Sequence, residues 1–388
     1  MKIVDVAEFY ADQGGGVKTY INQKLAAGAE RGHEVVIIAP GPQAGEQARH
    51  GGRIVWIPGP PMPFDPRYYV LWRQSEVHRA LDAERPDLVE GSSPWSGGWF
   101  AARWRGDAPK AFIFHQDPVA VYPQTFVGGV LGPGRVDRLF APYWSYLRRL
   151  SSRFDATVVS GQWLADKLGR FGLERPVAVP FGIDKAAWSP DHARGEVRAR
   201  LAAACGVDPD APLWVGVSRF HPEKRLGTLL DAFARASKAR PMGFVLFGDG
   251  PLAGWLRRRA AKIPGLHLAG YTKDRRELAT ALASSDAFLH GSAAETYGLV
   301  VAEALCSGLP LVVPDVGGAA DLAAPAWAET YPAGDARACA AAMGRLLARD
   351  PATLKRAVAG AAADRVGTMA DHFDQLFALY ERLAAERS

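Results

Sequence analysis

Short apolar runs recur along the chain at intervals that leave room for a helix between them. Lys2 to Ala7 reads as a strand, Val17, Tyr20, Ile21 and Leu25 give helical spacing up to Arg31-Gly32, and Glu34 to Ala39 is a second strand. The alternation continues with a strand over Arg53–Ile57, a helix around Tyr69–Ala83, a strand over Pro86–Glu90, a helix through Trp99–Trp104 and a strand over Lys110–His115. Strand Ala156–Ser160, helix Gln162–Phe171 and strand Pro176–Pro180 follow. Phe181 to Pro190 breaks the pattern and reads as a connection. A polar helix, His192–Ala204, precedes a new series of strands at Leu213–Ser218, Gly243–Phe247, Leu266–Ala269, Ala287–His290 and Leu311–Pro314. After Tyr331 the chain reads as three helices, Asp335–Arg349, Pro351–Asp364 and Thr368–Arg387. Strands separated by helices imply parallel sheets covered on both faces. The expected fold is therefore α/β, two tandem doubly wound domains over residues 1–184 and 190–367, with the last helix (368–388) packing back on the first.

Composition agrees with this division and narrows the function. A chain of 388 residues, 48% hydrophobic and 22% charged, has the ordinary globular mix and can bury two cores. Residues 1–184 carry 21 basic and 19 acidic side chains and 185–388 carry 25 and 22, so the net charge of +5 is spread evenly. A balance without a basic tail or stripe gives no reason to expect a nucleic-acid partner. Three scattered cysteines, Cys205, Cys306 and Cys339, fit small buried residues in a reducing compartment. Met1-Lys2-Ile3 runs straight into a strand with no secretory leader pattern, and no apolar run approaches the roughly 18 residues that a spanning helix needs. The expectation is a soluble, cytoplasmic protein.

The residues that could carry chemistry lie where strands end, which is where ligands sit on sheets of this type. Gly14-Gly15-Gly16 follows the first strand and opens a helix, where backbone N–H groups favour an anion. It is not a P-loop, because Val17 separates Gly16 from Lys18, nor a dinucleotide fingerprint, because the second strand ends in Pro40-Gly41-Pro42 instead of an acidic residue. His115-Gln116-Asp117 ends another strand and precedes a glycine-rich loop up to Gly134. Phe140 to Leu150, with Arg153 beyond it, mixes aromatics with arginines; it is either a packed helix with solvated charges or a contact for an anionic membrane face.

In the second half, Arg219 and Lys224 lie between a strand and a helix and suit a diphosphate, arginine through bidentate bonds and lysine as a point charge. Gly248-Asp249-Gly250 and Gly270-Tyr271-Thr272-Lys273-Asp274 end two further strands. Gly317-Gly318 opens a helix whose N–H groups could meet a phosphate or carboxylate. Glu295 and Glu303 flank a helical pattern, and on a continuous helix they would lie about 12 Å apart along the axis, a span for a ligand longer than a simple sugar.

Ser292-Ala-Ala-Glu295-Thr-Tyr-Gly-Leu-Val-Val-Ala-Glu303, with Gly317-Gly318 after it and Arg219 and Lys224 before it, resembles the retaining glycosyltransferases of family 4. The resemblance covers nearly the whole chain. It implies the GT-B fold, two Rossmann-like domains facing across a cleft. It also implies a hexose donor carried on a nucleoside diphosphate, UDP-glucose or GDP-mannose in type, and a metal-independent reaction with no cofactor. Carried over, Arg219 and Lys224 neutralise the diphosphate, Glu303 binds the ribose hydroxyls, and Glu295 meets the donor sugar. Thr296, Tyr297, Gly298 and Leu299 add backbone contacts to that sugar. Tyr271, Thr272 and Asp274 border the base, Gly15 and Gly16 approach the phosphates, and His115 contacts the sugar. Asp321 stands where the family commonly has glutamate. Pro86 to Pro94 and Phe114 to Phe126 resemble the layout of glycolipid-forming members, which favours a lipid-linked hydroxyl acceptor; the membrane-contact reading of Phe140 to Leu150 would add a peripheral place on the inner face of the plasma membrane. A soluble sugar or polysaccharide acceptor, a 2-epimerase acting on a UDP-sugar, and a non-catalytic nucleotide-sugar-binding module are the alternatives.

Overall fold

The structure, a computed structural model, describes residues 1–12, 15–63, 65–121, 123–125 and 133–387. Gly14 and much of the glycine-rich loop before Gly134 lie outside them. The chain forms two compact units. The first comprises Met1–His115, Phe140–Val179 and Ala370–Ser388; the second comprises Gln116–Leu139 and Pro180–Met369. The described residues of 116–139 thus group with the second unit, although the sequence reading placed this stretch in the first domain.

The first unit is built on strands β1 (Lys2–Val6), β2 (Glu34–Gly41), β3 (Gly45–Arg49), β4 (Gly52–Pro58), a small hairpin of β5 (Pro61–Met62) and β6 (Asp65–Tyr69), then β7 (Leu88–Gly91), β8 (Lys110–Ile113), β9 (Ala156–Val159) and β10 (Pro176–Ala178). Its main sheet has the order β10-β9-β8-β7-β1-β2-β4-β3. All pairings are parallel except β3 with β4. Central strands such as β2 are apolar on both faces, as expected for a sheet covered by helices on each side. The antiparallel β3 is the element that the apolar pattern does not show. Its side chains are mostly exposed, so no alternation marks it. The hairpin turns at His50 and Gly51, both with positive φ, a backbone path that suits a tight antiparallel connection. The pattern also places the following helix too early: Asp65–Tyr69 is strand, and the helix runs over Gln74–Glu84.

The last helix, Met369–Ala385, packs in the first unit. His372 hydrogen-bonds Tyr20 at 3.0 Å, Arg31 binds Asp374 at 2.5 Å, and the Tyr380 hydroxyl donates to Glu90 at 2.5 Å. The helix Ala141–Ser151 turns its aromatics into the same unit. Trp144 stacks on Phe171 with centroids 4.3 Å apart, and Tyr146 bonds Trp99 and the Pro94 carbonyl. Of the two readings of this segment, the packed helix describes its aromatics, while Arg148 and Arg149 lie at the surface.

The second unit holds β11 (Leu213–Val217), β12 (Gly243–Phe247), β13 (Leu266–Gly270), β14 (Ala287–Leu289), β15 (Leu311–Pro314) and β16 (Ala328–Tyr331). They form one parallel sheet in the order β13-β12-β11-β14-β15-β16. Apolar clusters lie on both faces, one including Phe288, Val301 and Leu305, the other Trp214, Phe233 and Phe244. The strand order reverses direction at β11 and β14, so loops leaving their carboxyl ends diverge and open a crevice there. Among the described residues no helix is long and apolar enough to cross a membrane.

Candidate active site

A cavity of about 420 Å³ lies in that crevice, within the range of small-molecule sites. Loops after β11, β12, β13 and β14 line it. Arg219 and Lys224 come from the first, Gly248 and Asp249 from the second, Tyr271 and Thr272 from the third, and His290 and Glu295 to Gly298 from the fourth; Leu299, Val300 and Glu303 follow on the next helix.

Glu295 does not lie on a helix. The helix covers only Leu299–Cys306, with Gly298 at its N-cap in the left-handed conformation. The axial separation of about 12 Å expected for Glu295 and Glu303 therefore does not apply. Glu295 sits instead in the loop after β14, and its backbone is fixed from behind: the Gly318 N–H donates to the Glu295 carbonyl at 2.7 Å. A Cβ on Gly318 would come within 2.4 Å of the Tyr297 backbone nitrogen, so only glycine permits this approach. The Gly317-Gly318 turn, expected to offer N–H groups to a ligand, thus spends the Gly318 N–H on holding the glutamate loop.

Lys224 ends a short 3-10 turn over Pro222–Lys224, and its ammonium lies 2.6 Å from Glu295 Oε1. Burial would raise the Glu295 pKa, but Lys224, His290 and a hydrogen bond from Ser292 together outweigh it and hold the carboxyl below its ordinary value. His290 Nε2 stands 3.6 Å from the same oxygen. Burial pushes this imidazole down to about 4, so it is neutral near pH 7. The Tyr331 hydroxyl donates to the His290 carbonyl at 2.7 Å and holds the strand end in place. Arg219 is mostly exposed and reaches Glu223 at 3.6 Å, a loose pair that leaves its guanidinium available to a ligand.

Glu303, within the helix, has the opposite electrostatics to Glu295. Burial raises its carboxyl to about 7 against the pull of Arg275, whose Nη2 lies 3.3 Å from Oε1. The cavity thus presents two cations, three carboxylates (Asp249 and, in unlike environments, Glu295 and Glu303), and the N-terminus of an eight-residue helix with its partial positive charge. Such a set has cations for a diphosphate and carboxylates that can accept from several hydroxyls.

The cavity gathers Arg219, Lys224, Tyr271, Thr272, Glu295, Thr296, Tyr297, Gly298, Leu299 and Glu303. Asp274 is elsewhere: its carboxylate accepts from the Arg276 and Glu277 N–H groups and caps the helix Arg275–Ala283, so those lone pairs are occupied. Gly15, Gly16 and His115 belong to the first unit. Gly15 caps the helix Gly16–Glu30, and a Cβ on Gly15 or Gly16 would meet nothing within 4 Å. His115 packs edge-on against Tyr20, and burial lowers its imidazole to about 3. It is therefore a neutral hydrogen-bonding group and not a proton donor near pH 7. His290 and Arg275 were missed by the sequence reading. His290 ends the strand that leads to Glu295, a signal that was present; the reach of Arg275 to Glu303 leaves none in the spacing.

The family profile of Glycosyltransferase Family 4 matches residues 14–187, and that of Glycosyl transferases group 1 matches residues 211–349. The chain is 31% identical over 335 residues to a GDP-mannose-dependent alpha-mannosyltransferase of Mycobacterium tuberculosis, covering 84% of this chain and 82% of that protein. It is 29% identical over 319 residues to a GDP-mannose-dependent alpha-(1-6)-phosphatidylinositol dimannoside mannosyltransferase of the same species, covering 81% and 79%. Sucrose-phosphate synthase from Thermosynechococcus elongatus has a similar fold, with a TM-score of 0.73 at 19% identity over 100% of both chains. Two Rossmann-like units of the GT-B type, the cavity in the second and a relative of this identity and coverage lead to one statement: the chain belongs to the family 4 glycosyltransferases.

Proposed function

We propose that the protein transfers a hexose from a nucleoside-diphosphate sugar to a hydroxyl acceptor with retention of anomeric configuration, and without a metal. GDP-mannose is the favoured donor, because both relatives named above are called GDP-mannose-dependent, and a lipid-linked hydroxyl is the favoured acceptor, because one of them is named for phosphatidylinositol dimannoside. The observation that carries the reading is the Lys224–Glu295 pair inside a cavity that also holds Arg219, Glu303 and a helix N-terminus. A diphosphate entering there meets Arg219 and Lys224. In taking the lysine it releases Glu295 to bind sugar hydroxyls. Departure of the diphosphate builds negative charge on its oxygens, which fixed cations in a partly water-excluded site stabilise. Neither glutamate is needed as a nucleophile. Gly15, Gly16 and His115 enter this reading through the family resemblance alone.

The test is to incubate the protein with GDP-mannose or UDP-glucose, with and without a phosphatidylinositol mannoside acceptor, and to follow the products by NMR. Acceptor-dependent product with the anomeric configuration of the donor is expected. Conversion of the donor to its 2-epimer without acceptor would point to the epimerase reading, and binding without turnover of any donor to a non-catalytic module.

A further inference from the structure

Glu303 reaches into the cavity from the helix Leu299–Cys306, and its two oxygens are treated differently. Oε1 receives Arg275 at 3.3 Å, whereas Oε2 has no side-chain hydrogen bond among the described residues. Arg275 is the first residue of the helix Arg275–Ala283, and three features fix it there. Asp274 caps the helix through the Arg276 and Glu277 N–H groups. The Thr272 hydroxyl accepts from the Asp274 N–H at 3.1 Å and donates to Glu277 at 2.8 Å. The guanidinium lies over the buried Trp188 ring, 5.5 Å from its centroid. A planar cation packed on an aromatic ring keeps one face fixed while its edge presents N–H groups.

We propose that Arg275 is a positioning residue for nucleotide recognition: by holding Oε1 it turns the Glu303 carboxyl group so that Oε2 accepts from the ribose hydroxyls. This rests on the nucleotide-sugar reading of the cavity. Physical need for such a partner is clear. Burial drives Glu303 toward its neutral form, with a pKa of about 7, and Arg275 is the group that opposes it. Among the described residues a further titratable neighbour is Cys306 on the same helix, a thiol pushed up by burial to about 11 and so neutral; Lys185 acts on Cys306. A protonated carboxyl is a weaker acceptor for a hydroxyl than a carboxylate. Without Arg275, more of the protein carries that weaker form near neutral pH.

Calorimetric titration of GDP and UDP at pH 6 and pH 8.5 into the full chain tests this, using the wild type, Arg275→Gln, Arg275→Lys, Glu303→Gln and the Arg275→Gln/Glu303→Gln double variant. Comparing variants at each pH cancels the titration of the nucleotide's own terminal phosphate. Arg275→Gln should weaken binding by at least about threefold more at pH 6 than at pH 8.5, since a tenfold change corresponds to one pKa unit. Arg275→Lys should restore part of the loss, and in the Glu303→Gln background Arg275→Gln should lose its pH dependence. An equal loss at both pH values would overturn the proposal, because it would make Arg275 an ordinary cation facing the ligand. Tighter binding by Arg275→Gln would overturn it too, by making Arg275 a competitor for Glu303. If the wild type binds neither nucleotide at either pH, the nucleotide reading itself fails and this proposal falls with it.

Discussion

Two lysines in this protein sit beside carboxylates where parallel strands end, and they have opposite surroundings. Lys24, in the first unit, is fully buried and lies 3.0 Å from Asp5 on β1 and 2.5 Å from Glu90 on β7. Its acidic partners are closed off in turn. The Ser92 hydroxyl donates to Asp5 at 2.5 Å, and Tyr380 from the last helix donates to Glu90 at 2.5 Å. Burial and the Glu90 charge push Asp5 up to about 7 against the pull of Lys24. Lys224, in the second unit, has Glu295 as its hydrogen-bond partner and faces a cavity. A charge enclosed by protein and paired with two buried carboxylates specifies packing. A charge with donors to spare and space before it can exchange its partner for a ligand.

The largest expected effect breaks the first of these. Lys24→Met leaves two buried carboxylates facing each other and should cost about 3–5 kcal/mol of stability, measured by urea unfolding. It should also loosen the last helix, read as lost amide protection around Tyr380. A loss under 1 kcal/mol would deny Lys24 its structural role. Gly318→Ala sharpens the other side of the comparison. Its methyl would collide with the Tyr297 backbone, so the Glu295 loop must shift. We expect about 1–3 kcal/mol of destabilisation together with weakened nucleotide binding. A variant with normal affinity would show that the turn does not place Glu295.

A smaller effect, of the opposite sign, is expected at Glu303. Its folded-state carboxyl titrates near 7 and its ordinary value is 4.5, so between them the folded protein keeps a proton that the unfolded chain has lost. Stability therefore falls as pH rises through that window and stays lower above it. Glu303→Gln lacks this titration and should be more stable than the wild type at pH 8, by about 2 kcal/mol or less, with no gain at pH 4. Thermal melts at the two pH values measure it; a gain at pH 4 equal to that at pH 8 would contradict the assigned shift. A gain at pH 8 alone would mark a group kept for binding at a cost in stability.

The alternation of strand and helix, and hence two doubly wound domains, was legible because buried parallel strands leave continuous apolar runs. β3 was not, because an exposed edge strand such as Gly45–Arg49 carries no apolar period. The donor-site residues Arg219, Lys224, Glu295 and Glu303 could be picked out by their place at strand ends and by family resemblance. Their pairing could not. Whether Asp274 faces a ligand or caps a helix, and whether Gly318 offers its N–H outward or to Glu295, depends on hydrogen bonds that spacing does not encode. The Lys24 cluster lay further out of reach, since Glu90 and Tyr380 are 290 residues apart.

The central claim is that Lys224 belongs to a ligand site and Lys24 to the packing, and one paired measurement tests it. Nucleoside-diphosphate affinity would be measured for Lys224→Met and Lys24→Met at a temperature where both are folded, with unfolding curves on the same samples. Lys224→Met should lose less stability than Lys24→Met, its pair being partly open to solvent, and should lose at least about tenfold in affinity, a change of roughly 1.4 kcal/mol. Lys24→Met should lose stability and, while folded, bind as the wild type does. Undiminished affinity in Lys224→Met would contradict the account.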